Sequence, residues 1–246
     1  MDSIENELVP NEELSDELLS GLNTQFEMAG PDEVLLWGYD TFGAGMVLGT
    51  GFGPSGMFLI YRLWELGIEV PIFYLDTHLL FDETYALRDR VEKRFNIQIT
   101  RVSTDLSLEE QADEYGEKLW KTDPNKCCQL RKVLPLRNYL SDKEAWVTGV
   151  RRSQSETRKN TQYVEWDPEN EVVKLNPLAN YTAEQVWNYI HSKNLPYNPL
   201  HDEGYPSIGC IPCTEAVGQT VSDERSGRWN GNEKTECGIH LSTQQK

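Results

Sequence analysis

The sequence predicts an α/β fold, a parallel sheet covered by helices and followed by a coil-rich C-terminal tail that carries a candidate nucleophile. Three observations predict it. Short apolar runs alternate with helical stretches between residues 45 and 149, the pattern of strands joined by right-handed crossovers. A glycine loop and an Asp-Thr pair follow the first two apolar runs directly, where ligands bind at the carboxyl ends of parallel strands. From Leu195 onward prolines and glycines are frequent and periodicity is weak, yet three of the five cysteines lie there.

Taken in order, residues 45–49 read as a short buried strand, residues 50–56 as a glycine loop, and residues 57–66 as an apolar helix stopped by Gly67. Residues 70–75 form the second buried strand, ending at Asp76-Thr77. A helix is expected over 81–95, where Tyr85, Arg88 and Glu92 have the spacing of intrahelical neighbours. Residues 97–102 are the third strand. Residues 127–140 read as helical, with Pro135 expected to kink or end the helix. Residues 145–149 form a fourth strand that leads into a basic loop over 151–159. Thr182 and Gln185 make a capping box for a helix that runs to about residue 192.

The chain of 246 residues is long enough for one well-cored domain with a functional tail, and its 38% hydrophobic content fits a globular protein. Net charge is −17, unevenly spread: residues 1–61 hold 11 acidic residues and no Lys or Arg, against 29 acidic and 23 basic in the remainder. That balance argues against binding nucleic-acid backbones. The first twenty residues are expected to form a solvated, partly helical extension. Residues 41–61 carry no charge, but six glycines and a proline make them too weakly apolar for a membrane span. With no basic and apolar leader at the N-terminus, the expected location is the cytoplasm, and five cysteines there do not make a disulfide framework.

Gly51-Phe-Gly53-Pro-Ser-Gly56 matches a dinucleotide fingerprint, with Asp76 near the place of a ribose-binding acid. Exposed backbone N–H groups at a helix start attract any phosphate or sulfate, so a loop that receives a sulfated or phosphorylated nucleotide is the favoured reading, ahead of a purely structural turn and of a true dinucleotide loop, and a nicotinamide or flavin enzyme stays open as an alternative. The cysteines divide four plus one. Cys127-Cys128 and Cys210-x-x-Cys213 are soft ligands for an iron–sulfur cluster or zinc; adjacent cysteines are awkward for one ion, and Lys126, Arg131 and Lys132 can offset thiolate charge. Cys237 is a candidate nucleophile, its thiolate favoured by Lys234 and by His240 when protonated. Arg151, Arg152 and Arg158 follow a strand, and Arg225 and Arg228 precede the last cysteine; arginine forks suit phosphate or sulfate oxygens.

Four segments together resemble the assimilatory adenylyl-sulfate reductases: Lys126-Cys-Cys128 with Arg131-Lys-Val-Leu-Pro-Leu136; Trp146-Val-Thr-Gly-Val-Arg-Arg-Ser-Gln-Ser-Glu-Thr-Arg158; Leu195-Pro-Tyr-Asn-Pro-Leu200 with Gly204-Tyr-Pro-Ser-Ile-Gly-Cys210; and Lys234-Thr-Glu-Cys237-Gly-Ile-His240. They occur in the family's order across residues 45–241. The resemblance implies a PP-loop fold of the adenine-nucleotide alpha hydrolase type and a thiol mechanism. Cys237 would take the sulfonate of adenosine 5′-phosphosulfate as S-sulfocysteine, and thioredoxin would release it as sulfite. Cys127, Cys128, Cys210 and Cys213 would hold a [4Fe–4S] cluster, with Lys132 between cluster and substrate. Arg151, Arg152, Arg225, Arg228 and His240 would cradle the anionic end, and Gly51, Gly53, Ser55, Asp76 and Thr77 would line the nucleotide side.

The same resemblance implies a homo-oligomer; with the charge distribution it divides the chain into an acidic extension over residues 1–30 and the reductase domain over 31–246, whose catalytic tail is expected to be mobile from about 218. The chain departs from the family in its first loop, where relatives often carry a serine-rich stretch with an acidic pair, and at His78, where a glycine is expected. Both departures bear on the choice between adenosine 5′-phosphosulfate and its 3′-phosphorylated form; the complete cysteine set points to the former.

Overall fold

The computed structural model describes residues 15–217, 224–229, 234 and 236–240. Two N-terminal helices, α1 (Asp16–Phe26) and α2 (Pro31–Phe42), precede the first strand β1 (Met46–Gly49). Helix α3 (Pro54–Leu66), strand β2 (Ile72–Asp76), helix α4 (Asp82–Phe95) and strand β3 (Ile99–Ser103) follow. Helices α5 (Leu108–Tyr115), α6 (Leu119–Thr122) and α7 (Pro124–Cys128) then lead through a π-helical turn (Gln129–Val133) into α8 (Leu134–Leu140). Strands β4 (Ala145–Val147), β5 (Val164–Asp167) and β6 (Val172–Leu175) and helix α9 (Ala183–Ser192) complete the regular elements.

The six strands lie in the order β3-β2-β1-β4-β6-β5, all parallel except the β5–β6 pair. Alternation along the strands divides the core in two. Met46, Leu48, Ile72, Tyr74, Ala145 and Val147 face a large cluster with α1–α4 and α9, whereas Val47, Phe73 and Trp146 face a smaller one with Leu136 and Leu140 of α8. Both faces are therefore covered, as a parallel sheet requires. After β2 the chain has built on one side of β1; with β4 it crosses to the other. That reversal opens a crevice beyond the carboxyl ends of β1 and β4.

Three features depart from the sequence reading. Helix α1, assigned by charge to the extension, buries Leu22 and Phe26 in the larger cluster, so the domain's packing begins well before residue 31. Asn23 fixes it to the sheet edge: its Nδ2 donates to the Val164 carbonyl at 2.8 Å and its Oδ1 accepts the Val164 N–H at 3.0 Å. This side chain supplies strand-like partners that the edge strand β5 would otherwise lack. The β5–β6 hairpin was not read from the sequence at all. Pro135 does not end the helical stretch, because its missing N–H is accommodated by the wider turn before it, where Leu134 N–H reaches the Gln129 carbonyl five residues back. Residues 1–14, and most of the tail expected to be mobile from 218, lie outside the described residues.

Phe26 is 1% exposed and meets Trp37 and Tyr163 edge-on. Phe26→Ala is expected to cost about 3–5 kcal/mol, measured by urea denaturation. A change within experimental error would return α1 to the role of a loose extension.

Candidate active site

A cavity of about 780 Å³ occupies the crevice. The glycine loop after β1 forms one wall. Gly53 caps α3, Pro54 sits at its first position, and Ser55 lies in its first turn. A Cβ at Gly51 or Gly53 would meet no atom within 4 Å, so packing within the chain does not require glycine there. Phe52 anchors the loop: at a φ of 56° it is left-handed, 2% exposed, and tilted against Tyr74 at 5.4 Å. Gly149, after β4, does need its missing side chain, because a Cβ would stand 2.9 Å from that of Ser55. This close approach brings the loops after β1 and β4 together.

Of the residues expected on the nucleotide side, Gly51, Gly53, Ser55 and Thr77 line the cavity and Asp76 does not. Asp76 is 2% exposed, and its oxygens accept from His78 N–H at 2.8 Å, Tyr85 Oη at 2.8 Å and Arg101 Nε at 2.6 Å. Burial would raise its pKa, but those partners hold it below the usual carboxylate range. An acid spent on partners within the fold does not serve a ribose, which removes one leg of the dinucleotide reading. His78 stands at a φ of 60°, a left-handed conformation that favours the glycine expected at this position.

The cations come from three parts of the chain. Arg151 is buried after β4, its Nε donating to Ser55 Oγ at 3.0 Å and its Nη1 to Ser153 Oγ at 3.0 Å and Glu224 Oε1 at 3.1 Å. Lys132 projects from the π-helical turn. Arg225 and Arg228 reach the cavity from the segment that pairs with the second cysteine pair through the Thr214–Arg228 bridge. Arg152 does not line the cavity. It turns outward to the Thr161 carbonyl at 2.8 Å and Glu27 at 2.5 Å, with its guanidinium 5.3 Å from the Tyr163 ring centre.

Cys237 and His240 also line this cavity. Burial would raise the Cys237 thiol, but Lys132, the Ile239 backbone N–H and Arg225 together bring its pKa below the ordinary thiol value. The activating cations are thus distant in sequence. Lys234, expected beside the thiol, instead meets Asn125 Oδ1 at 2.5 Å and lies 5.7 Å from the Trp229 ring centre. His240 is driven well below its usual pKa by burial, and further by Arg158, Lys174 and Arg225, so at neutral pH it is an uncharged imidazole rather than a cationic neighbour.

Cys127, Cys128, Cys210 and Cys213 line a second, small cavity, and Thr77, Lys132 and Cys210 line both. The pairs meet because Cys210 bridges to Leu80 just past β2, with Thr77 Oγ1 at 3.2 Å from Cys210 Sγ. Burial pushes Cys127 to about 12 and Cys213 to about 11, with the neighbouring sulfurs adding to both. Arg131 is 1% exposed beside them, and its hydrogen bonds go to the neutral oxygens of Gln111, Thr77 and Ser107. Its charge therefore remains available to thiolates. Among the described residues, no three His, Cys, Asp or Glu side chains are disposed to hold a metal ion. The four sulfurs nonetheless share one small cavity, and as soft thiolate donors they are of the type that holds zinc or an iron–sulfur group.

Three contributors escaped the sequence reading. Glu236, beside Cys237, is 6% exposed and accepts from Arg158 Nε and Nη2, both at 2.8 Å. Trp146 stacks on His240 with centroids 5.2 Å apart and planes at 14°. Trp229 lies under Arg225 and Arg228, at 5.5 and 4.6 Å from its ring centre. The first two belong to motifs quoted from the sequence, but nothing local distinguishes a partner of the tail from a surface ion pair.

A parallel sheet with a ligand crevice at its reversal of strand order defines an α/β nucleotide-binding class, and solved structures agree on the fold. A flavin mononucleotide adenylyltransferase from Candida glabrata superposes with a TM-score of 0.58 at 14% identity, covering 89% of this chain and 83% of its own. Residues 45–216 match the phosphoadenosine phosphosulfate reductase domain, and the chain belongs to that family. It is 53% identical to the adenosine 5′-phosphosulfate reductase of Salinibacter ruber over 91% of this chain and 89% of that protein. With the enzyme of the same name from Bacillus cytotoxicus it shares 47% identity, over 87% of this chain and 92% of that one. The phosphoadenylyl-sulfate reductase of Candida auris, solved with phosphate, superposes with a TM-score of 0.73 at 29% identity, covering 83% and 98% of the two chains. The protein is a reductase.

Lys132→Met removes the leading cation acting on Cys237, so the pH midpoint for alkylation of that thiol is expected to move upward. Iodoacetamide rates followed by mass spectrometry of the Cys237 peptide across pH give the midpoint. An unmoved midpoint would assign the activation to Arg225 and the backbone instead.

Proposed function

We propose that the protein reduces adenosine 5′-phosphosulfate to sulfite and AMP for sulfate assimilation in the cytoplasm, with Cys237 as nucleophile and thioredoxin as reductant. The observation that carries this reading is a thiol of lowered pKa in a cation-lined cavity that the glycine loop also lines. In the first step Cys237 Sγ bonds to the sulfate sulfur, and the bond from that sulfur to the phosphate oxygen breaks. AMP departs with the electron pair, and S-sulfocysteine remains. A thioredoxin thiolate then attacks Cys237 Sγ, and sulfite leaves with the electrons of the sulfur–sulfur bond. The second thioredoxin thiol opens the resulting mixed disulfide, so thioredoxin ends oxidised.

Arg151, Arg225 and Arg228 orient the phosphosulfate by charge-assisted hydrogen bonds, and Lys132 offsets charge where the new sulfur–sulfur bond forms. His240, neutral in its buried seat, donates or accepts one hydrogen bond without competing as an anion-binding charge. Cys127, Cys128, Cys210 and Cys213 are the residues to hold a [4Fe–4S] cluster, which when bound supplies a fixed local field beside Lys132. Five free cysteines support a reducing compartment, and among the described residues no helix is long and apolar enough to cross a membrane. The 3′-phosphorylated substrate is the second reading, favoured by the similarity to the Candida auris enzyme.

The test is thioredoxin-dependent sulfite release by anaerobically purified protein, with both nucleotides side by side. Preference for adenosine 5′-phosphosulfate is expected; preference for the other form would transfer the same chemistry to it, and activity with neither would overturn the proposal. Cys237→Ser is expected to abolish release while leaving a brown protein, and Cys128→Ser to lose the colour. Zinc without iron or acid-labile sulfide would overturn the cluster assignment alone.

A further inference from the structure

The carboxylate next to the nucleophile is held in a preformed socket. Glu236 accepts both arms of Arg158 at 2.8 Å and Arg225 Nη2 at 3.1 Å, with Thr157 Oγ1 at 3.3 Å and Ser155 Oγ at 3.5 Å completing the ring. The socket has its own support. Gln154 Oε1 accepts from Arg158 Nη1 at 2.6 Å and from the Arg151 N–H at 3.1 Å, fixing both arginines to the loop that leaves β4. The far end of that loop, read from sequence as a site for a ligand's anion, thus receives an anion of the protein itself.

Three positions after the nucleophile, His240 stacks on Trp146 of β4. Cys237 is bracketed between an ionic clamp and an aromatic one, both anchored on β4 and the loop that follows it. Sequestering two charges is expensive, and apolar residues of similar volume would hold a static segment as well or better. A carboxylate–guanidinium clamp differs in being able to let go when its charges are rehydrated. The proposed reaction, on which this inference rests, needs both states: sulfonation inside the cavity, then delivery of the same sulfur to a protein thiolate.

We infer that Glu236 is a positioning residue, a latch that sets Cys237 over the substrate for the sulfonation step and is released for the thiol step. The full-length protein tests it, purified anaerobically as wild type, Glu236→Gln and Glu236→Asp. Without thioredoxin, adenosine 5′-phosphosulfate should S-sulfonate Glu236→Gln with a saturating rate about 100-fold below wild type, the scale of a misplaced reacting group. Half-saturation should stay near wild type, and Glu236→Asp should recover part of the rate. Attack of thioredoxin on preformed adduct should be as fast or faster. In a separate arm without substrate, alkylation of Cys237 above its pH midpoint should be faster in Glu236→Gln.

A wild-type saturating rate in Glu236→Gln would overturn the latch, as would tighter substrate binding with undiminished rate, which would make Glu236 a competitor for the arginines. Equal losses in the Gln and Asp variants that follow a fall in melting temperature would reduce the contact to a structural ion pair. Should wild type form no adduct while the alkylation arm behaves as expected, the reaction reading fails and the latch loses its stated role, although the clamp is real.

Discussion

The approach of β4 to the start of α3 is the constraint on which the rest depends. Gly149 lies against Ser55, and this contact brings together the loops after two neighbouring strands whose connections run in opposite directions across the sheet. From it follow the crevice, the Arg151–Ser55 hydrogen bond and the socket that Gln154 organises. Even the tail is fixed with reference to β4, through Trp146 and Arg158.

Within this frame, one residue type is set to opposite tasks. Burial and mutual repulsion keep Cys127 and Cys213 high in pKa. Cys237, partly buried, is driven the other way by Lys132 and Arg225. Lys132 lies between the two groups because the π-helical turn places it toward the cavity while its neighbour Arg131 turns to Gln111, Thr77 and Ser107. An ordinary helical turn would rotate these successive side chains by a different angle, and such turns are found frequently at functional sites.

The protein's charge of −17 has little to do with its chemistry. Positive groups are concentrated at one crevice, where low dielectric makes each worth more than it would be in water. Asp76 and Arg152, both plausible ligand contacts by position, are committed to internal partners, the first to Arg101 of β3 and Tyr85 of α4 and the second to the seat of α1 through Glu27. Their assignment failed for a common reason: a charged side chain after a strand can face the crevice or the frame, and only its neighbours decide which.

Sequence by itself determined the parallel sheet, since apolar runs of strand length alternating with helices admit few other arrangements. It also determined the division of cysteines into four and one, the glycine loop and the candidate nucleophile, because these are short-range patterns tied to chemistry. Tertiary structure alone decided which cations act on Cys237, replacing Lys234 and a charged His240 with Lys132 and Arg225. It alone decided that α1 belongs to the core, through Leu22, Phe26 and the Asn23 contact with Val164. It alone paired Glu236 with Arg158, 78 positions away. Electrostatic coupling and burial depend on distance in space, and a chain records only distance along itself.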